Sequence, residues 1–383
     1  MRRRTFLIKS GFAALGSCLL PLTTGGAQPK NNAVVAALET LIPKLLQGVA
    51  VPGLSLALIE DGRLLCRRAF GVKDNITKTP VDYETLFEAA SVSKTVFAYA
   101  VMKLCENGVL NLDTPLIKYG VPPLLEGDPR MEQITARHVL SHTSGFQDFR
   151  SRKEPLKIHF TPGEKFLYSG EGYYYLQSVV THLTGRVDRN DCAKYECDLE
   201  VCGTDFDAYL KRTLLQPFSM RESGYLWNKI LAKHSARPHD VDGNPSAKKR
   251  PSPPDVARYG ACGGLHTTAT EYAKFLIEVV NPKRSDSTRL TRKSLEEMLR
   301  PHVTLPENEK IDGADSWALG WAVQQRKTGN VIVHSGGQAG FQSLTMASID
   351  RKSGFVVLTN SDNGWKIFHD PAFGELMDRL LAS

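Results

Sequence analysis

Apolar positions between Val34 and Leu46 recur at helical spacing. The pattern then changes to two short runs, Gly53 to Ile59 and Leu64 to Phe70, on either side of Asp61-Gly62. An Asp-Gly pair between apolar runs predicts a tight hairpin, because the favoured two-residue turn needs positive φ at both positions. From Ser91 to Asn107 the residues Val92, Phe97, Val101 and Leu104 line one helical face, and Gly108 ends the pattern as a left-handed C-cap.

Beyond Asp113, helical pieces (Ala136 to Ser141, Gly172 to Leu183, Phe206 to Leu214, Thr270 to Val280) alternate with loops rich in Pro, Gly and Lys. One of these loops, Asp240 to Pro254, is polar enough to read as mobile. Then come Trp317 to Gln325, Val331 to His334, Gln342 to Ile349 and Phe355 to Asn360, β-branched runs separated by Lys327-Thr328-Gly329-Asn330 and by Asp350 to Gly354. They predict an antiparallel meander, which Pro371 to Leu381 follows as a helix. Strands at both ends with helices between predict an α/β chain of the α+β kind. Residues 28–112 and 306–383 build one antiparallel sheet covered by the N- and C-terminal helices, and 113–305 form a mainly helical insertion. No internal repeat is present.

With 42% hydrophobic and 23% charged residues over 383 positions, the chain has apolar content for a large core, which excludes a predominantly disordered protein. Residues 1–27 carry Arg3-Arg4-Thr5-Phe6-Leu7-Ile8-Lys9, a weakly apolar stretch to Leu22 and the small-residue ending Gly25-Gly26-Ala27. This reads as a twin-arginine export signal cleaved after Ala27, which puts the protein in the periplasm or outside the cell. An ordinary secretory signal, or lipidation at Cys18 within Leu15-Gly16-Ser17-Cys18, are the alternatives. The apolar run falls short of the ~20 residues that span a bilayer, so no stable membrane span is expected. Taking away the four cations Arg2, Arg3, Arg4 and Lys9 lowers the net charge from +7 to +3, which, without a basic stripe, gives no case for a nucleic-acid partner. Cys192, Cys197 and Cys202 fall in a polar insertion near 187–204 that suits a disulfide in an oxidising compartment. Their spacing matches no zinc pattern, so no metal is expected. Cys66 and Cys105 lie in apolar segments and read as small core residues.

Ser91-Val92-Ser93-Lys94 sets a hydroxyl and an amine three residues apart at the start of a helix, on one face. Serine is a weak nucleophile until a base takes its proton, and a nearby amine that gives up its own charge can be that base. A second such pair, Ser246-Ala247-Lys248-Lys249, lies in the polar loop and reads as solvated surface. Tyr168-Ser169-Gly170 forms a turn ahead of a helix, where a phenol can shuttle a proton. Val333 to Phe341 runs as a strand into His334-Ser335-Gly336-Gly337, whose glycines let backbone N–H groups approach an oxyanion. Lys327-Thr328-Gly329 sits at a hairpin tip and reads as a turn. His142 and Ser144, in Ser141-His142-Thr143-Ser144-Gly145, also read as a structural turn, since the chain has no Gly-x-Ser-x-Gly elbow.

Together and in this order, these elements resemble the serine β-lactamase and penicillin-binding-protein superfamily. The likeness is closest to its class C β-lactamase branch, which also holds family VIII carboxylesterases, D-aminopeptidases and DD-carboxypeptidases. It runs through Phe87 to Thr95, Ile134 to Phe146, Tyr168 to Leu176, Gly263 to Thr268, Leu319-Gly320-Trp321 and His334 to Ser343. The resemblance implies a β-lactamase/transpeptidase-like fold with a five-stranded-type antiparallel sheet. It implies Ser91 as the acylated nucleophile, Lys94 as its base or relay, and Tyr168 as acid for the leaving group and activator of the deacylating water. His334-Ser335-Gly336 takes the place of the family's Lys-Thr-Gly strand, and the N–H groups of Ser91 and Gly337 form the oxyanion hole. No cofactor is implied, and the substrate is a small-molecule ester, amide or peptide.

Two departures bear on that substrate. Gly170 stands where β-lactamases of this group carry an asparagine that helps hold an acylamino side chain, and His334 replaces a permanent cation with a pH-dependent one. Both suit esters or uncharged amides better than penicillins, and peptidase-like relatives tolerate them too; a carboxylesterase is favoured, with a β-lactamase, a DD-carboxypeptidase or a D-aminopeptidase as alternatives. A slowly deacylating penicillin-binding sensor is the rival from another class.

Overall fold

The computed structural model describes residues 31–150, 154–185, 199–283 and 286–383. The expected signal segment with Cys18, and Cys192 and Cys197, lie outside the described residues. Eleven strands are described: β1 (Gly53–Glu60), β2 (Arg63–Asp74), β3 (Thr79–Pro80), β4 (Phe87–Glu88), β5 (His266–Thr267), β6 (Val303–Thr304), β7 (Ser316–Trp317), β8 (Ala322–Arg326), β9 (Gly329–Gln338), β10 (Phe341–Ser348) and β11 (Ser353–Thr359). The helices are α1 (Asn32–Gly48), α2 (Ser93–Glu106), α3 (Ala136–Leu140), α4 (Gly170–Thr184), α5 (Leu199–Leu210), α6 (Lys229–His234), α7 (Pro253–Gly263), α8 (Ala269–Val280), α9 (Arg292–Leu299), α10 (Gly364–Phe368) and α11 (Pro371–Ala382).

The main sheet has the order β3-β2-β1-β11-β10-β9-β8-β7-β6. Its long strands, β2, β1, β11, β10 and β9, form the expected five-stranded antiparallel body, and short strands extend it at both edges to nine. Asp61-Gly62 turns β1 into β2, both residues having positive φ. Lys327-Thr328 turns β8 into β9, so that segment is the hairpin tip its position predicts.

Strand alternation explains how one sheet carries two cores. Leu54, Leu56 and Leu58 of β1 point, with Val357, to the layer of α1 and α11, against Leu38, Ile42, Phe373 and Leu380. Ala57 and Ile59 point the other way, with Val356 and Leu358, into a second core built on α2 and α8. With both faces covered, β1 is buried along nearly its whole length. Helix α2 departs from its expected amphipathic pattern, because every residue from Ser93 to Leu104 is buried. It runs through the second core, and its two lysines are held by polar partners. The Nζ of Lys103 donates to Glu106 and to the carbonyls of Asp286 and Arg289.

Helix α7 is an addition to the expected elements, although its buried Val256, Ala257, Gly260 and Ala261 recur at helical spacing. Its signature is local: Ser252 caps Asp255 and Asp255 caps Ser252 in return, with Pro253 opening the helix. The loop before it is mostly exposed, Ser246, Ala247 and Lys249 included, as its polarity suggested, but two of its lysines anchor it. The half-buried Lys248 Nζ donates to Ser235 O at 2.6 Å, and Lys249 pairs with Glu88 at 3.4 Å.

Candidate functional site

Three elements converge at the start of α2. The short β4, paired with β5, leads into Ala90, whose φ of +47° is unusual for a residue with a Cβ. That turn swings Ser91 out of the strand and onto a single 3-10 turn, Ala90–Val92, that runs straight into α2. One turn on, Lys94 is fully buried. Its Nζ donates to Ser91 Oγ at 3.2 Å and to the Cys262 carbonyl at 2.8 Å, so the last turn of α7 holds the amine against the hydroxyl. The Cys262 thiol itself is pushed up to about 11 by burial, which keeps it protonated and unreactive near neutral pH.

Strand β9 passes on the other side of Ser91. Its Gly336 lies opposite Ser343 in the ladder with β10. A Cβ built on Gly336 would come within 2.5 Å of Ser343 Oγ, 2.6 Å of Ala89 O and 2.9 Å of Ser91 N. Only glycine allows the strand to come that near. Gly337 and Ser91 both line a cleft of about 640 Å³. Ser335, on the opposite side of the strand, hydrogen-bonds Asp312.

Tyr168 is reached through Lys94, whose Nζ lies 4.9 Å from the centre of the phenol ring. The ring is held from behind by His142. The Leu167 N–H donates to His142 O at 2.8 Å and the Ser169 N–H donates to His142 Nδ1 at 3.0 Å. The imidazole also stacks on Tyr168 with centroids 4.2 Å apart. His142 adopts φ +56°, which turns both acceptors toward one strip of chain. Burial, with the Lys94 charge second and His334 third, holds its pKa well below the usual histidine value, so Nδ1 stays an acceptor. The structure thus gives this turn a place behind Tyr168 that no pattern in the sequence marks. Ser144, also buried, lies against Gly172 and Phe146 instead.

His334 is 3% exposed, and its Nδ1 meets Ser335 O at 2.6 Å. Burial first, and the Lys94 ammonium second, push its pKa down to about 3. The pH-dependent cation expected here is therefore a neutral imidazole across the working range.

Gly170 opens α4, and its N–H donates to Asp148 Oδ1 at 2.9 Å. The space in front of it is filled by Phe149, whose ring atoms would lie 2.5 and 2.6 Å from a Cβ at this position. Gln177 of α4 ties the Tyr168 side of the cleft to α7. Its Nε2 donates to the carbonyls of Val256 and Ala257, and its Oε1 accepts from the Ala261 N–H. Glu88, at the end of β4, accepts from Gln338 and pairs with Lys249 across the cleft.

Among the described residues no group of His, Cys, Asp and Glu is arranged to hold a metal ion, and no helix is long and apolar enough to cross a membrane.

The family model described as Beta-lactamase matches residues 38–372. Among curated proteins, Protein flp of Staphylococcus aureus (strain MRSA252) is 23% identical over 341 residues, covering 84% of this chain and 62% of its own length. The chain thus spans somewhat under two thirds of that relative. Penicillin-binding protein 4* of Bacillus subtilis (strain 168) is 24% identical over 371 residues, with 85% and 71% covered. Two solved structures share the fold. The octameric penicillin-binding protein homologue from Pyrococcus abyssi matches with TM-score 0.68 and 23% identity over 86% of this chain and 74% of that one. The D-alanine carboxypeptidase AmpC from Burkholderia cenocepacia matches with TM-score 0.69 and 18% identity over 91% and 99%.

Proposed function

The chain belongs to the β-lactamase family, and from that premise we propose that it is a hydrolase working through an acyl-enzyme at Ser91, with carboxylic esters of uncharged acids as substrates. The observation that carries the reading is the buried Lys94 amine 3.2 Å from Ser91 Oγ.

In this mechanism Ser91 Oγ attacks the ester carbonyl while its proton passes through Lys94, as base or relay. The N–H groups of Ser91 and Gly337 hold the developing oxyanion. Tyr168 passes that proton on to the departing alkoxide; in deacylation the path runs backward, Tyr168 taking a proton from the water that attacks the acyl carbonyl and Lys94 returning one to Ser91 Oγ as the acid leaves. Two features support esters over β-lactams. The neutral His334 offers no charge to a substrate carboxylate, and Phe149 occupies the space where a side chain at position 170 would reach an acylamino group.

The test is a stopped-flow comparison of p-nitrophenyl butyrate with nitrocefin, using the full chain and its Ser91→Ala and Tyr168→Phe variants, with intact-mass detection of adducts. Turnover of the ester, little turnover of nitrocefin and an inactive Ser91→Ala protein are expected. Full activity in Ser91→Ala removes the assignment. A lasting nitrocefin adduct without ester turnover assigns the chain to the penicillin-binding sensors instead.

A further inference from the structure

We infer that Phe149 and Tyr259 form a built subsite for the apolar chain of the acyl group, straight or aryl, that Ser91 carries. The inference rests on Ser91 being the nucleophile and deepens the ester reading by naming what selects the acid.

Phe149 and Tyr259 are 50% and 51% exposed, which is unusual for large aromatic side chains, and they meet edge to face with centroids 5.9 Å apart. Both line the same cleft as Ser91. Their backbones are fastened to α4 at two different points. On the Phe149 side, Gln147 O accepts from Ser169 Oγ at 2.7 Å and Asp148 Oδ1 accepts from the Gly170 N–H. On the far side of the ring, the Arg150 N–H donates to Glu171 Oε1 at 3.2 Å. The segment is therefore stitched to the start of α4 immediately before and after Phe149, and the glycine at 170 leaves room for the ring. Tyr259 stands on α7, which Gln177 fastens to α4. The two rings thus stand on fixed backbone as aromatic walls at the mouth of the cleft.

The charges around the cleft do not compete for an apolar chain. Lys249 is paired with Glu88, and the Arg250 guanidinium lies 5.9 Å from the Trp227 ring centre, drawn toward an aromatic face. His334 is neutral. An uncharged chain extending from Ser91 toward these rings exchanges water for aromatic carbon, and each methylene that does so completely strengthens binding about fourfold.

Alkylboronic acids test this without requiring turnover, because the Ser91 oxygen adds to the vacant boron orbital and no group has to leave. The dissociation constants of ethyl- to hexylboronic acid are measured by calorimetry on the full chain and on Phe149→Ala, Tyr259→Ala and Gly170→Ala. The expected parent series tightens by two- to fourfold per methylene, and each variant flattens it below about twofold. Gly170→Ala is the informative variant, since alanine suits a helix better than glycine and the exposed Phe149 ring is the part that must swing away. A parent series without length dependence, or variants that keep the parent slope, overturns the subsite. So does an ω-carboxyalkylboronic acid that binds more tightly than the alkyl compound of equal length, which would assign the mouth to Arg250. If the series holds while p-nitrophenyl butyrate is not hydrolysed, the subsite stands and the ester reading falls.

Discussion

Replacing His142 by alanine should cost both stability and turnover, and the structure gives the size. The Ser169 N–H loses its Nδ1 acceptor, and a buried donor without a partner costs about 1–3 kcal/mol. The stack on Tyr168 and the edge contact with Trp317, 4.2 and 4.9 Å between centroids, disappear; such pairs contribute about 0.5–1.5 kcal/mol each. Histidine and asparagine tolerate φ +56° better than alanine does, so backbone strain adds to this loss. The expected loss is therefore about 2–6 kcal/mol by urea unfolding followed through tryptophan fluorescence. Asparagine is the control, because it accepts the left-handed conformation and its Oδ1 can take the Ser169 N–H, leaving a loss of about 1–3 kcal/mol from the missing ring. Activity is read as the burst amplitude and steady rate with p-nitrophenyl acetate, which separates the number of competent sites from their speed. For each competent site, the alanine variant should turn over about ten- to a hundredfold more slowly, as expected when a proton-transfer group is loosened, and the asparagine variant should recover most of that. If asparagine performs no better than alanine, or if alanine costs under 1 kcal/mol and leaves the rate unchanged, His142 does not hold Tyr168 in the way described.

His334→Gln tests the neutral imidazole: with a pKa near 3 in the folded chain and about 6.5 unfolded, the parent loses stability as pH falls below 6.5, by about 2 kcal/mol at pH 5. The variant lacks that term, so the difference between pH 7.5 and pH 5 should shrink by about the same amount in urea titrations; parallel curves would sink the argument. Gly336→Ala forces a Cβ against Ala89 O and Ser91 N, and it should slow Ser91 acylation by two orders of magnitude or more, about 3 kcal/mol of barrier, as read by the single-turnover burst; an unchanged burst refutes the close approach. Gln177→Leu removes three hydrogen bonds between α4 and α7 and should lower unfolding stability by about 2–4 kcal/mol, a loss that calorimetry would show as a lower Tm.

Much of the fold is legible in local chemistry. Asp61-Gly62 can hardly be anything but a hairpin tip, and the β-branched runs after residue 316 alternate with turn residues at strand spacing. The pairing of a buried amine with Ser91 is also local, since both sit within one helical turn. What stays hidden is what depends on distant partners. Helix α7 presents a buried face of mostly small residues, Val256, Ala257, Gly260 and Ala261, and that spacing together with the Ser252 to Asp255 capping box was the available sign. That Phe149 fills the space before Gly170, or that Lys249 reaches Glu88, follows from folding that no spacing encodes. His334 shows the same limit from another side: its residue type promises a titration near neutrality, and its burial removes it. Lys94 shows it too, because the turn that holds its amine belongs to Cys262, on a helix far from it in sequence.

The neighbours at the centre of the sheet, β1 and β11, are separated by almost the whole chain. A nascent polypeptide still attached to the ribosome has therefore made β1 and β2 long before the strand that completes their sheet exists, and its Ser91 waits without Gly337 beside it. Until the last strands emerge, that early hairpin presents an unpaired edge and two uncovered apolar faces, the kind of surface that chaperones engage. Competence thus arrives late and all at once. By the same logic, a protease that trims β11, α10 and α11 would silence the enzyme without touching any residue that handles substrate.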